Sequence, residues 1–145
     1  MENNNRILKL EEFQELFQNV FSKMKSQQQF FPKTSYKLSS GHIMILTHLY
    51  HVNKCRASDI TKYLGITSGG CTVLTDNLLE HQLIKKSKSA KDKRITELTL
   101  TLEGEKIVNE IIKDRVNNFV QLLSDISDEE LDQMIQVFQK LQRKF

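Results

Sequence analysis

The stretch Lys85-Lys86-Ser87-Lys88-Ser89-Ala90-Lys91-Asp92-Lys93-Arg94-Ile95-Thr96-Glu97-Leu98-Thr99-Leu100-Thr101 decides the reading of this chain. Its first ten residues hold six cations and one anion. The pattern then alternates, with Ile95, Glu97, Thr99 and Thr101 on one side and Thr96, Leu98, Leu100 and Leu102 on the other. That alternation is the mark of a half-buried strand. Leu83-Ile84-Lys85-Lys86 begins an opposing strand, so the whole is a short hairpin with a cationic tip. Such a hairpin carries positive charge to where a polyanion can meet it.

The rest of the chain sharpens that contrast. Of 145 residues, 39% are apolar and 27% charged, with one proline and five glycines. This suits one domain, or one domain with an oligomerisation element, built mostly of long helices. The formal charge is only +3. Residues 1–40 contribute +2, 41–84 nothing, 85–101 +4 and 102–145 −3. A basic patch on a mildly acidic body points to a polyanion bound at one place. No stretch reaches the roughly 18 apolar residues of a spanning helix. The polar Met1-Glu2-Asn3-Asn4-Asn5 start lacks a signal-peptide core, so a cytoplasmic location is expected. Cys55 and Cys71 are too few for a disulfide framework and read as reduced thiols.

Upstream, Ile7, Leu10, Phe13, Leu16/Phe17, Val20/Phe21 and Met24 recur in steps of three and four, predicting an amphipathic helix over 6–30. Pro32 breaks it through Phe31. Ser39 or Ser40 caps a second helix, Gly41 to His51, with Ile43, Leu46, Leu49 and Tyr50 inward. Residues 57–64 form a short helix started by Arg56 or Ala57 and stopped by Gly65. Thr67 or Ser68 then caps a third, running to Glu80, with Cys71, Leu74, Leu78 and Leu79 inward. Short helix, glycine turn and second helix make a helix-turn-helix, and the hairpin behind it makes a winged helix. Thr101 is a cap for a long helix carrying Ile107/Val108, Ile111/Ile112, Val116, Phe119/Val120 and Leu122/Leu123. Ser127 with Glu130 is a capping box for the last helix, whose apolar face is Leu131, Met134/Ile135, Phe138, Leu141 and Phe145. The first and last helices have little in one copy to pack against, so a two-fold dimer is expected.

These residues carry a family resemblance. Asp92-Lys93-Arg94-Ile95-Thr96-Glu97-Leu98-Thr99-Leu100-Thr101-Leu102-Glu103-Gly104 fits the MarR-family wing pattern D-[R/K]-R-x-x-x-[apolar]-x-L-T-x-x-G at every defined position. Leu38-Ser39, Ala57-Ser58-Asp59-Ile60-Thr61-Lys62-Tyr63-Leu64 and Leu78-Leu79-Glu80-His81-Gln82-Leu83-Ile84 resemble its other blocks in order. The match is close over about 38–104 and holds by layout alone in the flanking helices.

The resemblance implies a mainly α winged helix-turn-helix with a two-stranded β wing and long N- and C-terminal dimerisation helices. The expected parts are a dimerisation helix and linker over 1–37, a DNA-binding region over 38–101 and dimerisation helices over 102–145. It further implies a homodimeric transcription regulator, a repressor released by a small effector, bound to pseudo-palindromic duplex DNA. The recognition helix would enter the major groove and the wing the minor groove. Recognition would fall to Thr67, Ser68, Gly69, Gly70, Thr72, Val73, Thr75 and Asn77. The wing would act through Lys86, Lys88, Lys91, Asp92, Lys93 and Arg94, with Asp92 bracing Arg94 or its neighbour. The dimer face would comprise Ile7, Leu10, Phe13, Phe17, Phe119, Leu123, Leu131, Met134, Ile135, Phe138 and Leu141. Two departures stand out. Gln82 replaces a usual glycine, and Val73 and Asn77 stand where arginines are common, so the wing would carry more of the affinity.

Other readings weigh against this one. A lysine run is often a solvated loop. Gly69-Gly70 lacks the strand and Lys-Ser/Thr of a phosphate-binding loop, leaving a helix N-terminus near a DNA phosphate or plain packing. His48, His51 and Cys55 share helical spacing, but metal binding is not expected, and no cofactor is implied. Lys54 and Arg56 would lower the Cys55 pKa, which leaves redox sensing open; Cys71 reads as core. The phenylalanines suit an effector pocket or interface packing. No catalytic ordering is present, so an enzyme is not expected. The alternative function is a winged-helix protein-interaction module that does not bind DNA.

Overall fold

A computed structural model describes residues 2–145. Helix α1 spans Glu2–Ser26, α2 Ser40–Val52, α3 Ala57–Leu64, α4 Ser68–Glu80, α5 Leu102–Leu122 and α6 Asp128–Gln142. Strands β1 (Lys54–Cys55), β2 (Ile84–Lys88) and β3 (Thr96–Leu100) lie between them. The chain forms two compact units, one extending to Arg115 and the other Val116–Phe145.

Local chemistry sets most helix ends. Ser39 Oγ accepts from the His42 backbone N–H, and His42 Nδ1 accepts from the Ser39 N–H at 3.0 Å. The reciprocal pair starts α2 one residue earlier than expected. Asp59 does the same for α3, its Oδ2 accepting from the Arg56 N–H at 2.9 Å. Gly65 ends α3 in the left-handed region, φ 64°. Ser127 and Glu130 form the expected capping box of α6. Helix α1 ends at Ser26, not at residue 30, because Gln28 takes φ 57° and Gln29 N–H turns back to the Met24 carbonyl at 3.0 Å. That pattern is a Schellman-type stop, completed before Pro32 has any say.

Apolar side chains of α2, α3, α4, α5 and the sheet meet in one core. Ile43, Ile45, Leu46, Leu49, Ile60, Leu78, Leu83, Ile84, Leu98, Ile107, Val108 and Ile111 are all essentially sealed from solvent. Two expected inward residues are not part of it. Tyr50 is exposed and donates its hydroxyl proton to Asn109 Oδ1 at 3.2 Å, a polar end that burial would have stranded. Leu102 belongs to the first turn of α5 instead of continuing β3, and is exposed.

The sheet holds one strand more than the expected two-stranded wing. It is antiparallel in the order β1-β3-β2, with Cys55 opposite Leu98 and Lys86 opposite Leu98 on the other side. β1 is two residues long, too short to show any alternation in sequence.

Candidate nucleic-acid interface

The turn between α3 and α4 is closed by backbone. Gly65 and Ile66 both donate to the Thr61 carbonyl, and Thr67 Oγ1 accepts from Gly70 N–H at 3.1 Å to cap α4. A Cβ on Gly70 would crowd the Thr67 hydroxyl at 3.3 Å, whereas one on Gly69 would lie at ordinary contact distance, 4.0 Å, from it. Three faces of α4 follow from exposure. Cys71, Thr75 and Leu78 are buried, Gly70, Leu74, Asn77 and Leu79 are half-buried, and Ser68, Gly69, Thr72, Val73, Asp76 and Glu80 are exposed.

Two base-reading candidates lie off the outward face. Thr75 is only 4% exposed and its hydroxyl donates to the Cys71 carbonyl at 2.9 Å, so it packs the core. Asn77 is half-buried, and its side-chain oxygen is turned inside without a protein partner. Asp76, which hydroxyl-and-amide reasoning passed over, stands outward with Thr72 and Val73. Helical spacing was the available signal, since 72, 73 and 76 share a face while 71, 75 and 78 share the opposite one.

Behind α4 the wing is more ordered than a run of lysines suggests. Ser89, in the middle of the run, is 5% exposed. Its N–H donates to the Ile95 carbonyl and its Oγ accepts from Lys91 N–H. Ile95 N–H in turn donates to the Asp92 carbonyl at 3.0 Å. These bonds turn the tip without a glycine. Asp92 then grips Arg94: Oδ1 accepts from the Arg94 backbone N–H at 3.0 Å and from Nε at 3.2 Å, and Oδ2 from Nη2 at 3.4 Å. The backbone hydrogen bond, followed by the guanidinium, holds the Asp92 carboxyl below the usual aspartate range. The Arg94 side chain remains 92% exposed.

Lys88 donates to Thr96 Oγ1 at 3.1 Å across the strands, while Lys91 and Lys93 extend freely to solvent. Lys86 Nζ lies 4.0 Å from Asp76 Oδ1, linking wing to recognition helix. Glu97, the one anion that interrupts β3, is answered by Lys54 of β1 at 3.2 Å.

Gln82 takes φ 56°, so the helix-to-strand turn uses the glycine conformation without the glycine. Its carbonyl accepts from Thr101 Oγ1 at 2.6 Å, and the same hydroxyl accepts from Gly104 N–H at 3.0 Å, capping α5. Here the backbones come so close that a Cβ on Gly104 would overlap the Leu83 carbonyl oxygen.

Of the two cysteines, Cys55 departs from expectation and Cys71 is core as expected. Cys55 is buried, and desolvation, reinforced by Asp59, pushes its thiol up to about 11 despite its cationic neighbours in sequence. Cys71 is buried against the Ala57 carbonyl, with its pKa also raised by desolvation. The His48 ring stacks on Tyr63 at 4.1 Å. Among the described residues no three His, Cys, Asp or Glu side chains come together as a metal site.

Of the residues expected to meet a second copy, Ile7, Leu10, Phe13 and Phe17 are exposed along α1. Phe13, Phe17 and Phe21 stack in sequence with centroids 6.0 Å apart. In the second unit, Leu131, Met134, Ile135, Phe138 and Leu141 are exposed on α6, while Phe119 and Leu123 are half-buried. No helix among the described residues is long and apolar enough to cross a membrane.

A helix-turn-helix followed by a basic hairpin defines the chain as a winged-helix protein. It belongs to the Transcriptional regulator SarA/Rot family, whose model matches residues 29–111. The HTH-type transcriptional repressor MdtR of Bacillus subtilis is 25% identical, the match covering 72% of this chain and 67% of that one. A MarR family protein from Bacillus stearothermophilus has the same fold, with a TM-score of 0.82 at 18% identity and 94% of each chain covered. A variant of MepR from S. aureus, solved bound to an oligodeoxyribonucleotide, is 25% identical, with a TM-score of 0.64 over 91% of this chain and 96% of that one. DNA-binding transcription regulation is thus the function of this chain.

Proposed function

We propose that the protein is a homodimeric, sequence-specific repressor that binds a pseudo-palindromic operator and is released by a small effector. The outward face of α4 enters the major groove, and the wing reaches the flanking minor groove with Arg94 at its tip. Lys91 and Lys93 neutralise phosphates, and Lys86 and Lys88 line the wing strand behind them. The observation that carries this reading is Arg94: almost wholly exposed, yet held by three hydrogen bonds that it donates to Asp92, one from its backbone and two from its guanidinium. An arginine held but uncovered is prepared for a partner outside the chain. The MepR variant solved with an oligodeoxyribonucleotide supports the same use of the fold.

Dimerisation is supported by the apolar side chains that α1 and α6 leave in solvent, which a second copy would cover. On this reading 1–37 and 102–145 serve assembly and 38–101 serves DNA. The repressor sign is supported by MdtR, a transcriptional repressor in Bacillus subtilis. An effector is supported by the open groove bordered by Leu49, Tyr50, Thr99 and Asn109, which has room for a small molecule.

Selection from random duplexes with the purified chain tests the proposal. The expected result is a two-fold symmetric site of about 16–20 base pairs, from two half-sites roughly a helical turn or more apart. Sedimentation should give twice the 16.9 kDa chain mass. Absence of DNA binding at low salt would instead favour a protein-interaction module.

A further inference from the structure

Residues 68–80 contain no lysine or arginine. Midway along the outward face of α4 stand a hydroxyl at Thr72, methyl groups at Val73 and a carboxylate at Asp76, within about one turn of each other. Asp76 is the single ionised group in the first nine residues of the helix. It is 57% exposed, and its counter-charge is Lys86 Nζ in β2 at 4.0 Å.

We propose that Asp76 is a specificity-determining residue of this helix, accepting a hydrogen bond from the N4 amino group of a cytosine in each half-site. The inference rests on the DNA-binding reading above and adds to it which base is read. In the major groove guanine shows only the acceptors N7 and O6, which an ionised carboxylate repels and which this helix has no cation to satisfy. Adenine offers its N6 donor beside the N7 acceptor, so a carboxylate bonding one meets the lone pair of the other. Cytosine's own edge offers the N4 donor and no acceptor. Thymine carries O4 and a methyl group, which suit Thr72 and Val73 but not Asp76.

A carboxylate carried into the groove also approaches phosphates. Lys86 offsets that repulsion from the wing strand, in a pair exposed enough to loosen or re-form as DNA is met. Glu80 is exposed as well, but lies a further turn toward the helix C-terminus. Glu80 ends α4 and lies outside the turn that holds Thr72, Val73 and Asp76.

The test is duplex selection with the full chain and its Asp76→Ala, Asp76→Asn and Lys86→Ala variants. Anisotropy titrations then follow on the selected site and on its single-base changes. The wild-type chain is expected to select one cytosine per half-site that Asp76→Ala no longer requires. Binding of Asp76→Ala to the selected site falls about five- to a hundred-fold. Asp76→Asn admits adenine there, because an amide both accepts from N6 and donates to N7. Lys86→Ala weakens all duplexes alike and leaves the base preference unchanged. Thermal melts show whether each variant is folded, as expected for substitutions at an exposed pair. Unchanged base preference in Asp76→Ala overturns the inference, including the case in which all duplexes bind more tightly because the carboxylate only repels phosphate. If the wild-type chain selects no sequence at all, the regulator reading falls with it; a selected site indifferent to Asp76 removes this inference alone.

Discussion

The Asp92 carboxylate binds Arg94 at three atoms, accepting from the backbone N–H at 3.0 Å and from Nε and Nη2 of the guanidinium at 3.2 and 3.4 Å. The aspartate thus orients the wing arginine and shapes the loop that carries it.

Arg94→Ala should weaken binding to a selected operator several-fold or more and reduce the salt slope by about one unit, since each phosphate contact contributes roughly −0.9. Anisotropy titrations across salt measure both. The Asp92 carboxyl should titrate below 3.8 by NMR and rise only partly in Arg94→Ala, because the backbone N–H remains. A depressed aspartate stabilises the fold above its unfolded pKa and loses that contribution as pH falls through the folded one. Wing order should therefore be unchanged from pH 8 to 5 and decline only in strong acid.

Gln82→Gly should raise stability by about 0.5–1 kcal/mol, because φ 56° costs a side-chain-bearing residue energy that glycine avoids. The Gln82 carbonyl keeps its bond from Thr101 in either case. A thermal melt shifted upward by a few degrees is the readout.

Gly104→Ala should act in the opposite direction. The added methyl would overlap the Leu83 carbonyl, which also accepts from Thr101 N–H at 3.1 Å. Forcing these backbones apart should cost about 1–3 kcal/mol, read as a lower denaturation midpoint in urea.

Neither cysteine should respond to mild oxidant. With the Cys55 thiol pushed up to about 11 and both side chains buried, thiolate is scarce near neutral pH. Thiol-reactive dyes should label the folded chain slowly and the unfolded chain quickly. Peroxide should leave operator binding unchanged.

His42 makes stability depend on pH near neutrality. Desolvation, then the nearby His81, lowers its pKa, and its Nδ1 must be unprotonated to accept from Ser39 N–H. The unfolded chain therefore binds the proton more readily. Stability should be full above the unfolded value near 6.5 and fall as pH drops below it. Denaturation midpoints between pH 7.5 and 5 measure this, and the decline should flatten in His42→Gln.

What sequence alone determined is whatever depends on neighbours along the chain. The caps at Ser39 or Ser40, Thr67 or Ser68, Ser127 and Gly65, the spacing of Ile43, Leu46 and Leu49, and the alternation through Leu98 are local signals. Together they yield the winged helix and its Asp92–Arg94 tip. Tertiary structure decided what depends on partners distant in sequence. Burial reversed the expected reactivity of Cys55, because desolvation outweighs Lys54 and Arg56, whose charges remain in water. The two-residue strand β1 exists only because β3 is there to pair with it. Asp76 stands beside Lys86 because the wing strand returns along α4, a contact between residues ten apart in sequence. The basic hairpin was legible from its charges, but its order comes from Ser89 and Asp92 bonding across a loop that only folding closes.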